Sequence, residues 1–308
     1  MAFTVTDAPT VPTSAPSAVT TRFVRKTDPA EALVTSWRAI SDTEHVVTAA
    51  WPRTHSFYAP DTDFYSPLLY TESIRQGLAV LSHTAFGIPL DHRLGWESFS
   101  STAVPAALRR TSEPVAVDLQ ITHTSVTRRR LGSTHLTAHI EATRDGEHLG
   151  TADIRYVTHP GAIYNRLRGR YADAKQAFAT ALPHGPAVSP SLVGRDDERD
   201  VVLSPTEDPY RWQLRADISH TVLFDHPHDH IPGMVILEAF SQATQLLSAP
   251  YRTLPVAFDT TFRRYVELDQ PCWITAEPLT ESDVRLTAVQ GQHLVASTIV
   301  TTEPVSGR

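Results

Sequence analysis

The stretch Phe224–Glu238, FDHPHDHIPGMVILE, sets three histidines and two aspartates in six residues, followed by an apolar run that ends in one glutamate. Imidazoles at this density suit metal ligation, proton transfer near neutral pH, or polar contacts in a loop. His226, His228 and His230 alternate, so an extended strand would place them on one face, as a metal site requires. Pro227 and Pro232 interrupt such a strand, the HxHxDH spacing of metallohydrolases is absent, and no second ligand cluster stands out. The expectation is therefore acid–base or binding chemistry, with no metal and no cofactor.

The elements that must position these residues recur along the chain. PLLYTESIRQGLAVLSHTAFGIPLD from Pro67 is matched by PGMVILEAFSQATQLLSAPYRTLPVAFD from Pro232. Glu72 and Glu238, Gln76 and Gln242, and Pro89 and Pro255 are each 166 residues apart, the mark of an internal repeat. Each segment reads as a largely apolar helix that starts near a proline, over 68–85 and 233–247. Its few polar residues form one stripe: Glu72, Arg75 and Gln76 in the first, Glu238, Gln242 and Gln245 in the second. Such a stripe is either the solvent face of a surface helix or the wall of a cleft. Its recurrence beside a histidine-rich loop favours the cleft.

Strand-like segments follow each helix: 114–124, 135–142 and 150–158, then 258–268, 272–278, 284–289 and 293–301. DGEH from Asp145 and VQGQ from Val289 read as hairpin turns. The pattern predicts an α+β fold in which a long helix is wrapped by antiparallel sheet, twice over. The first repeat spans 29–160 and the second 210–303. Residues 161–209, with the basic YNRLRGRYADAKQAFATAL and a Pro/Gly-rich stretch, are expected as a connector crossing the surface. Residues 1–28 read as a flexible leader and 304–308 as a tail.

The chain has 308 residues, 41% of them apolar and 20% charged, as in a soluble globular protein. A net charge of −7 argues against a general nucleic-acid-binding surface. One cysteine, Cys272, allows no intramolecular disulfide and no cysteine metal cluster, which favours the reducing cytoplasm. No apolar run is long enough to span a bilayer, and no secretory signal is evident.

His226, the Ile231-Pro232-Gly233 turn and the MVILEAFSQ helix resemble the hot-dog dehydratases that act on β-hydroxyacyl thioesters. Their signature runs from a histidine-bearing HFPG loop through a second Pro-Gly into an apolar helix with Glu-Ala and Gln. Here the loop from His226 to Glu238 is about two residues shorter and lacks the first Pro-Gly. The closer resemblance is to the A-factor biosynthesis (AfsA-type) family of actinobacterial γ-butyrolactone and furan signalling pathways. It is carried by ESIRQ from Glu72, DHIPGMVILEA from Asp229 and FRRYVELD from Phe262, and it extends over about residues 30 to 303.

That resemblance implies two hot-dog repeats forming an intramolecular pseudo-dimer. It implies an acyltransferase that joins a β-ketoacyl group from acyl carrier protein to dihydroxyacetone phosphate, giving a phosphorylated butenolide or furan precursor. His226 is expected to transfer the proton, with Glu72 or Glu238 orienting it or acting as base if burial raises its pKa. The Gly233 N–H, at a helix N-terminus, is placed to hold the thioester carbonyl. By analogy with the dehydratases, His226 faces Glu72 across the pseudo-dimer and Glu238 lines a second cleft without histidine. Arg75, Gln76, Gln242, Arg263, Arg264 and His230 are the expected substrate-binding residues, the arginines suiting a phosphate. The basic stretches Arg128–Arg130 and Arg166, Arg168 and Arg170 could dock an acidic carrier protein. The expected protein is a cytoplasmic monomer or homodimer that uses neither nucleic acid nor membrane. Thioester dehydration or hydrolysis on the same fold, or a non-catalytic acyl- or butenolide-binding role, are the alternatives.

Overall fold

The computed structural model describes residues 17–19, 21–59 and 63–305. After a short α1 (Thr21–Val24), the first long helix is α2 (Pro67–Thr84). The Ser66 hydroxyl caps it by accepting the Leu68 N–H at 3.3 Å, and Pro67 occupies the first turn, where a missing N–H costs nothing. Every residue of α2 except Arg75 and Thr84 is buried, which requires partners on all sides. The shorter α3 (Gly161–Arg168) and α4 (Ala174–Ala179) precede the second long helix, α5 (Gly233–Ser248).

A two-residue β1 (Ser17–Ala18) precedes the strands of the first half. These are β2 (Val34–Ala39), β3 (Glu44–Trp51), β4 (Arg93–Ala103), β5 (Val115–Arg128), β6 (Thr134–Arg144) and β7 (Glu147–His159). The second half contributes β8 (Leu203–Ser204), β9 (Arg211–Leu214), β10 (Thr253–Phe262), β11 (Cys272–Pro278), β12 (Asp283–Gln290) and β13 (His293–Pro304). They form one antiparallel sheet in the order β1-β2-β3-β5-β6-β7-β4-β10-β13-β12-β11-β9-β8. From each outer edge inward the halves read alike: β2-β3-β5-β6-β7-β4 against β8-β9-β11-β12-β13-β10. They meet where β4 pairs with β10, from Ser98 opposite Thr261 to Thr102 opposite Ala257. The chain thus has the α+β architecture expected of it, two helix-and-sheet repeats paired as a pseudo-dimer.

Burial follows the pleat. Along β5, Val115, Val117, Leu119 and Ile121 point inward while Ala116, Asp118 and Gln120 face out. A methyl built on Gly77 of α2 would already lie 3.4 Å from Ile121 and Val47, so helix and sheet touch closely there. The Asp145-Gly146 hairpin joins β6 to β7 with both residues at positive φ, 53° and 81°.

Several sequence expectations need correction. Strands β2, β3 and β4 were not foreseen. β4 is rich in serine and lies at the seam between the halves, so its pattern is not the apolar alternation of a half-buried strand. β10 ends at Phe262 rather than continuing to residue 268, because the Arg263 and Arg264 N–H groups both turn to the Val295 carbonyl, at 2.8 and 3.2 Å. The leader is not flexible from 21 to 28: Val24 is fully buried beside α2, and Asp28 caps a short helical turn. Its residues 1–16 lie outside the described residues, as do 306–308 of the tail. The expected connector carries α3, α4 and β8, so elements of the second repeat begin before residue 210.

Candidate active site

A cavity of about 770 Å³ opens between the repeats. Its walls bring Glu72 and Arg75 of the first half together with His226, His228, His230, Gly233, Arg263 and Arg264 of the second. The histidine loop is irregular rather than an extended strand, yet all three imidazoles reach the cavity. The His226 Nδ1–H donates to Asp225 Oδ1 at 2.7 Å, which leaves Nε2 of this half-buried ring for a substrate. Burial would raise the Asp225 carboxyl. Bonds from His226 and the Thr27 N–H, with the Lys26 charge, outweigh burial and hold it well below the usual carboxylate range. His228 packs 4.2 Å from the His226 ring. Burial, then the His226 and His230 charges, pull it down to about 3, so it is neutral at pH 7.

A second aspartate–histidine pair stands beside the first. The His230 Nδ1–H donates to Asp229 Oδ1 at 2.9 Å, and Asp229 also accepts from the Tyr164 hydroxyl at 2.7 Å and from Arg168 Nε at 2.8 Å. Arg168 grips Glu267 at 2.8 and 2.7 Å as well, so it is committed to this network and buried rather than free for docking. Arg166 and Arg170 remain exposed. Among the described residues, Asp225, His226 and His228 are the group that could hold a metal, their ligand atoms lying within 4.8 Å of one another. In this structure Asp225 Oδ1 is already engaged by the His226 N–H.

The two glutamates are both 1% exposed but differently placed. Arg75 donates to Glu72 Oε2 and Oε1 at 2.6 and 2.7 Å, Gln76 donates at 2.8 Å, and Lys26 Nζ lies 3.6 Å away. Burial alone would raise the Glu72 carboxyl; the Arg75 and Lys26 charges and these bonds bring it down to about 2. It is therefore a fixed anion, not the base expected from burial, and the residue that orients His226 is Asp225 rather than either glutamate. Glu238 does not line this cavity. Arg195 Nε and NH2 clasp its Oε1 at 3.0 and 2.6 Å, and Gln242 donates to it at 2.6 Å. Gln76 and Gln242 are also outside the cavity. Each pins backbone that precedes its helix in the chain: Gln76 holds Leu33 N and Glu31 O, Gln242 holds Val202 N and Asp200 O.

Lys26, Thr27, Asp225, Tyr164 and Arg195 escaped the sequence reading, and Arg168 was read there only as part of a docking stretch. A further internal match would have exposed two of them. KTDPAEALV from Lys26 aligns with RDDERDVVL from Arg195 at an offset of 169. The structure uses this match: Lys26 donates across the interface to the Val222 carbonyl at 3.1 Å, and Arg195 donates across it to the Phe57 carbonyl. Phe57 and Val222 are themselves 165 residues apart, next to His55 and His220 with the same offset. Each of these histidines pairs with an acid in the matching stretch of its own half, His55 with Glu31 at 3.3 Å and His220 with Asp200 at 3.0 Å.

The helix starts differ too. Ser66 caps α2, whereas α5 has no side-chain cap, so its first N–H groups at the cavity wall are available to an acceptor. Seven lysines and arginines line the cavity against five carboxylates, in a protein whose net charge is −7. Burial and the charges of Arg93 and Arg75 lower Arg25 to about 10, the sign of crowded cations. Arg93, Arg263 and Arg264 stand exposed at the rim, with no carboxylate partner among the described residues. Leu78, Ala79, Leu94, Trp96 and Val157 give the cavity apolar lining from the first repeat.

A cavity with aspartate-held imidazoles, an uncapped helix start, surplus cations and apolar lining suits transfer of an acyl chain to an anionic acceptor. Comparison with known proteins points the same way. Residues 8–160 and 177–306 match the model of the A-factor biosynthesis hotdog domain. A 2-oxo-3-(phosphooxy)propyl 3-oxoalkanoate synthase of Streptomyces virginiae is 36% identical, over 93% of this chain and 98% of that protein. Proteins of the same name from Streptomyces griseus and Streptomyces coelicolor are 34% and 32% identical, over 90% and 82% of this chain and 93% and 80% of theirs. Among solved structures, an acyl-ACP thioesterase from Bacteroides thetaiotaomicron shares the fold with a TM-score of 0.53 and 11% identity, over 84% of this chain and 98% of that one.

Proposed function

Because the chain belongs to the A-factor biosynthesis hotdog family, we propose that it is a 2-oxo-3-(phosphooxy)propyl 3-oxoalkanoate synthase, an acyltransferase acting on a β-ketoacyl thioester and dihydroxyacetone phosphate. The hydroxyl oxygen of the acceptor attacks the thioester carbonyl and gives its proton to His226 Nε2. The carbon–sulfur bond breaks, and the thiolate leaves with that proton. Asp225 holds the imidazole in the tautomer this requires and stabilises it when charged. The N–H groups of Gly233 and Met234 at the start of α5 face the developing oxyanion. Arg93, Arg263 and Arg264 are the cations for the phosphate, since Arg75 is committed to Glu72. Acyl carrier protein as the donor's carrier, closure of the ester to a butenolide or furan precursor, a cytoplasmic location and a monomeric or homodimeric state belong to this proposal. None of the described helices is long and apolar enough to cross a membrane.

The observation that carries the reading is the Asp225–His226 pair set in a cation-rich cavity. Mass spectrometry after mixing the protein with a β-ketoacyl thioester tests it. The phosphorylated ester should form only when dihydroxyacetone phosphate is present. Equal consumption of the thioester without that acceptor would make the protein a hydrolase instead.

A further inference from the structure

We infer that the segment Arg25-Lys26-Thr27, ahead of the first repeat, is part of the active site and that Thr27 is a positioning residue for the Asp225–His226 pair. This rests on the reading of that pair as the proton-transfer site.

Three consecutive residues fasten three different elements. Arg25 has φ 57°, a conformation that a residue with a side chain keeps only where its surroundings impose it. Here its guanidinium donates to His83 Nε2 at 3.2 Å, to the Leu90 carbonyl at 3.0 Å and to the His92 carbonyl, beyond the end of α2. Lys26 turns the other way, to Glu72 and to the Val222 carbonyl of the second repeat. Thr27 reaches the histidine loop itself. Its N–H donates to Asp225 Oδ2 at 2.9 Å, and its hydroxyl donates to the Asp225 carbonyl at 2.7 Å.

The carboxylate is thereby held at both oxygens, Oδ1 by the His226 N–H and Oδ2 by the Thr27 N–H, with the Thr27 hydroxyl also 3.3 Å from Oδ2 while it anchors the Asp225 carbonyl. A carboxylate turns freely about its last torsion unless both oxygens are engaged, and the imidazole follows the carboxylate. The other repeat supplies an internal control. Arg195 clasps Glu238 and crosses the interface as Lys26 does, but the residue after it is Asp196, which cannot donate a side-chain proton to a carboxylate when ionised. The facing loop there has no histidine between Tyr58 and Glu72. The cation is common to both repeats; the threonine occurs where there is an aspartate–histidine pair to hold.

Thr27→Val removes the hydroxyl at nearly constant shape, Thr27→Ala removes it without overpacking, and Thr27→Ser keeps it. The full chain is compared by kinetics and by proton NMR of the His226 Nδ1–H, which a short bond to a carboxylate shifts far downfield. Valine and alanine should broaden or abolish that resonance and lower kcat by roughly 10-fold, with KM within about twofold, and serine should restore both. An unchanged resonance and kcat in the valine and alanine variants would overturn the inference, as would equal losses in the serine variant. The NMR comparison needs no substrate. If the wild-type protein makes no ester, the proposed reaction fails, while the resonance still decides whether Thr27 positions the pair.

Discussion

At the scale of single residues, the structure divides the polar cluster into parts with different tasks. His226 has a fixed partner on one nitrogen and the cavity on the other, so His226→Ala should lower turnover by about 100-fold or more, measured with both substrates present. EDTA should leave the wild-type rate unchanged. Loss of activity on chelation, restored by zinc, would instead make Asp225, His226 and His228 metal ligands. The glutamates give a second contrast. Glu238 balances the buried Arg195 away from the cavity, so Glu238→Gln should cost about 3–5 kcal/mol in denaturant melts while folded protein keeps its activity. Glu72 balances Arg75 and Lys26 at the cavity wall, so Glu72→Gln should lower both stability and turnover.

At the scale of elements, α2 and β4 supply apolar lining from the first repeat, with Ala79 as its smallest helical side chain. Ala79→Phe should shift preference toward shorter acyl chains, by roughly fourfold for each methylene excluded, in a competition of thioesters read by mass spectrometry. Unchanged chain preference would show that the acyl group lies elsewhere. Both long helices were legible in the sequence to within one residue at each end, because residues apolar nearly all round after a proline have few other uses. The histidine loop was legible by residue type. What hid was order that owes little to burial of apolar side chains. Arg25, Lys26 and Thr27 are fixed by hydrogen bonds to Leu90, Val222 and Asp225, partners 65 to 198 positions away, and composition carries no trace of them. The role of Glu72 was misjudged for a related reason. Burial was foreseen, but its effect on the carboxyl is outweighed first by Arg75, one turn along the same helix, and then by Lys26, which arrives from a segment read as unstructured.

At the scale of the whole molecule, acid should loosen the fold through histidines kept neutral inside it. His123 lies between Phe86 and Tyr156. Burial, then the His45 charge, lower it from 6.5 to about 3, and His228 reaches about 3 as well. The unfolded chain binds protons at these imidazoles below about pH 6.5 while the folded chain does not until about pH 3, so stability falls as the pH drops through that window. Melting temperatures from pH 7 to 4 should decline, and His123→Gln should flatten the decline; an unaltered slope would mean that His123 is not a source of it. The seam between β4 and β10 has a different kind of consequence. Enzymes that share a site between two separate chains lose it when dilution parts them, so their output per molecule collapses at low copy number. Here both walls are joined by one polypeptide and one unbroken sheet. A single molecule carries both walls of the cavity, so its rate is expected to be the same at nanomolar as at micromolar concentration, which a dilution series of the assay checks.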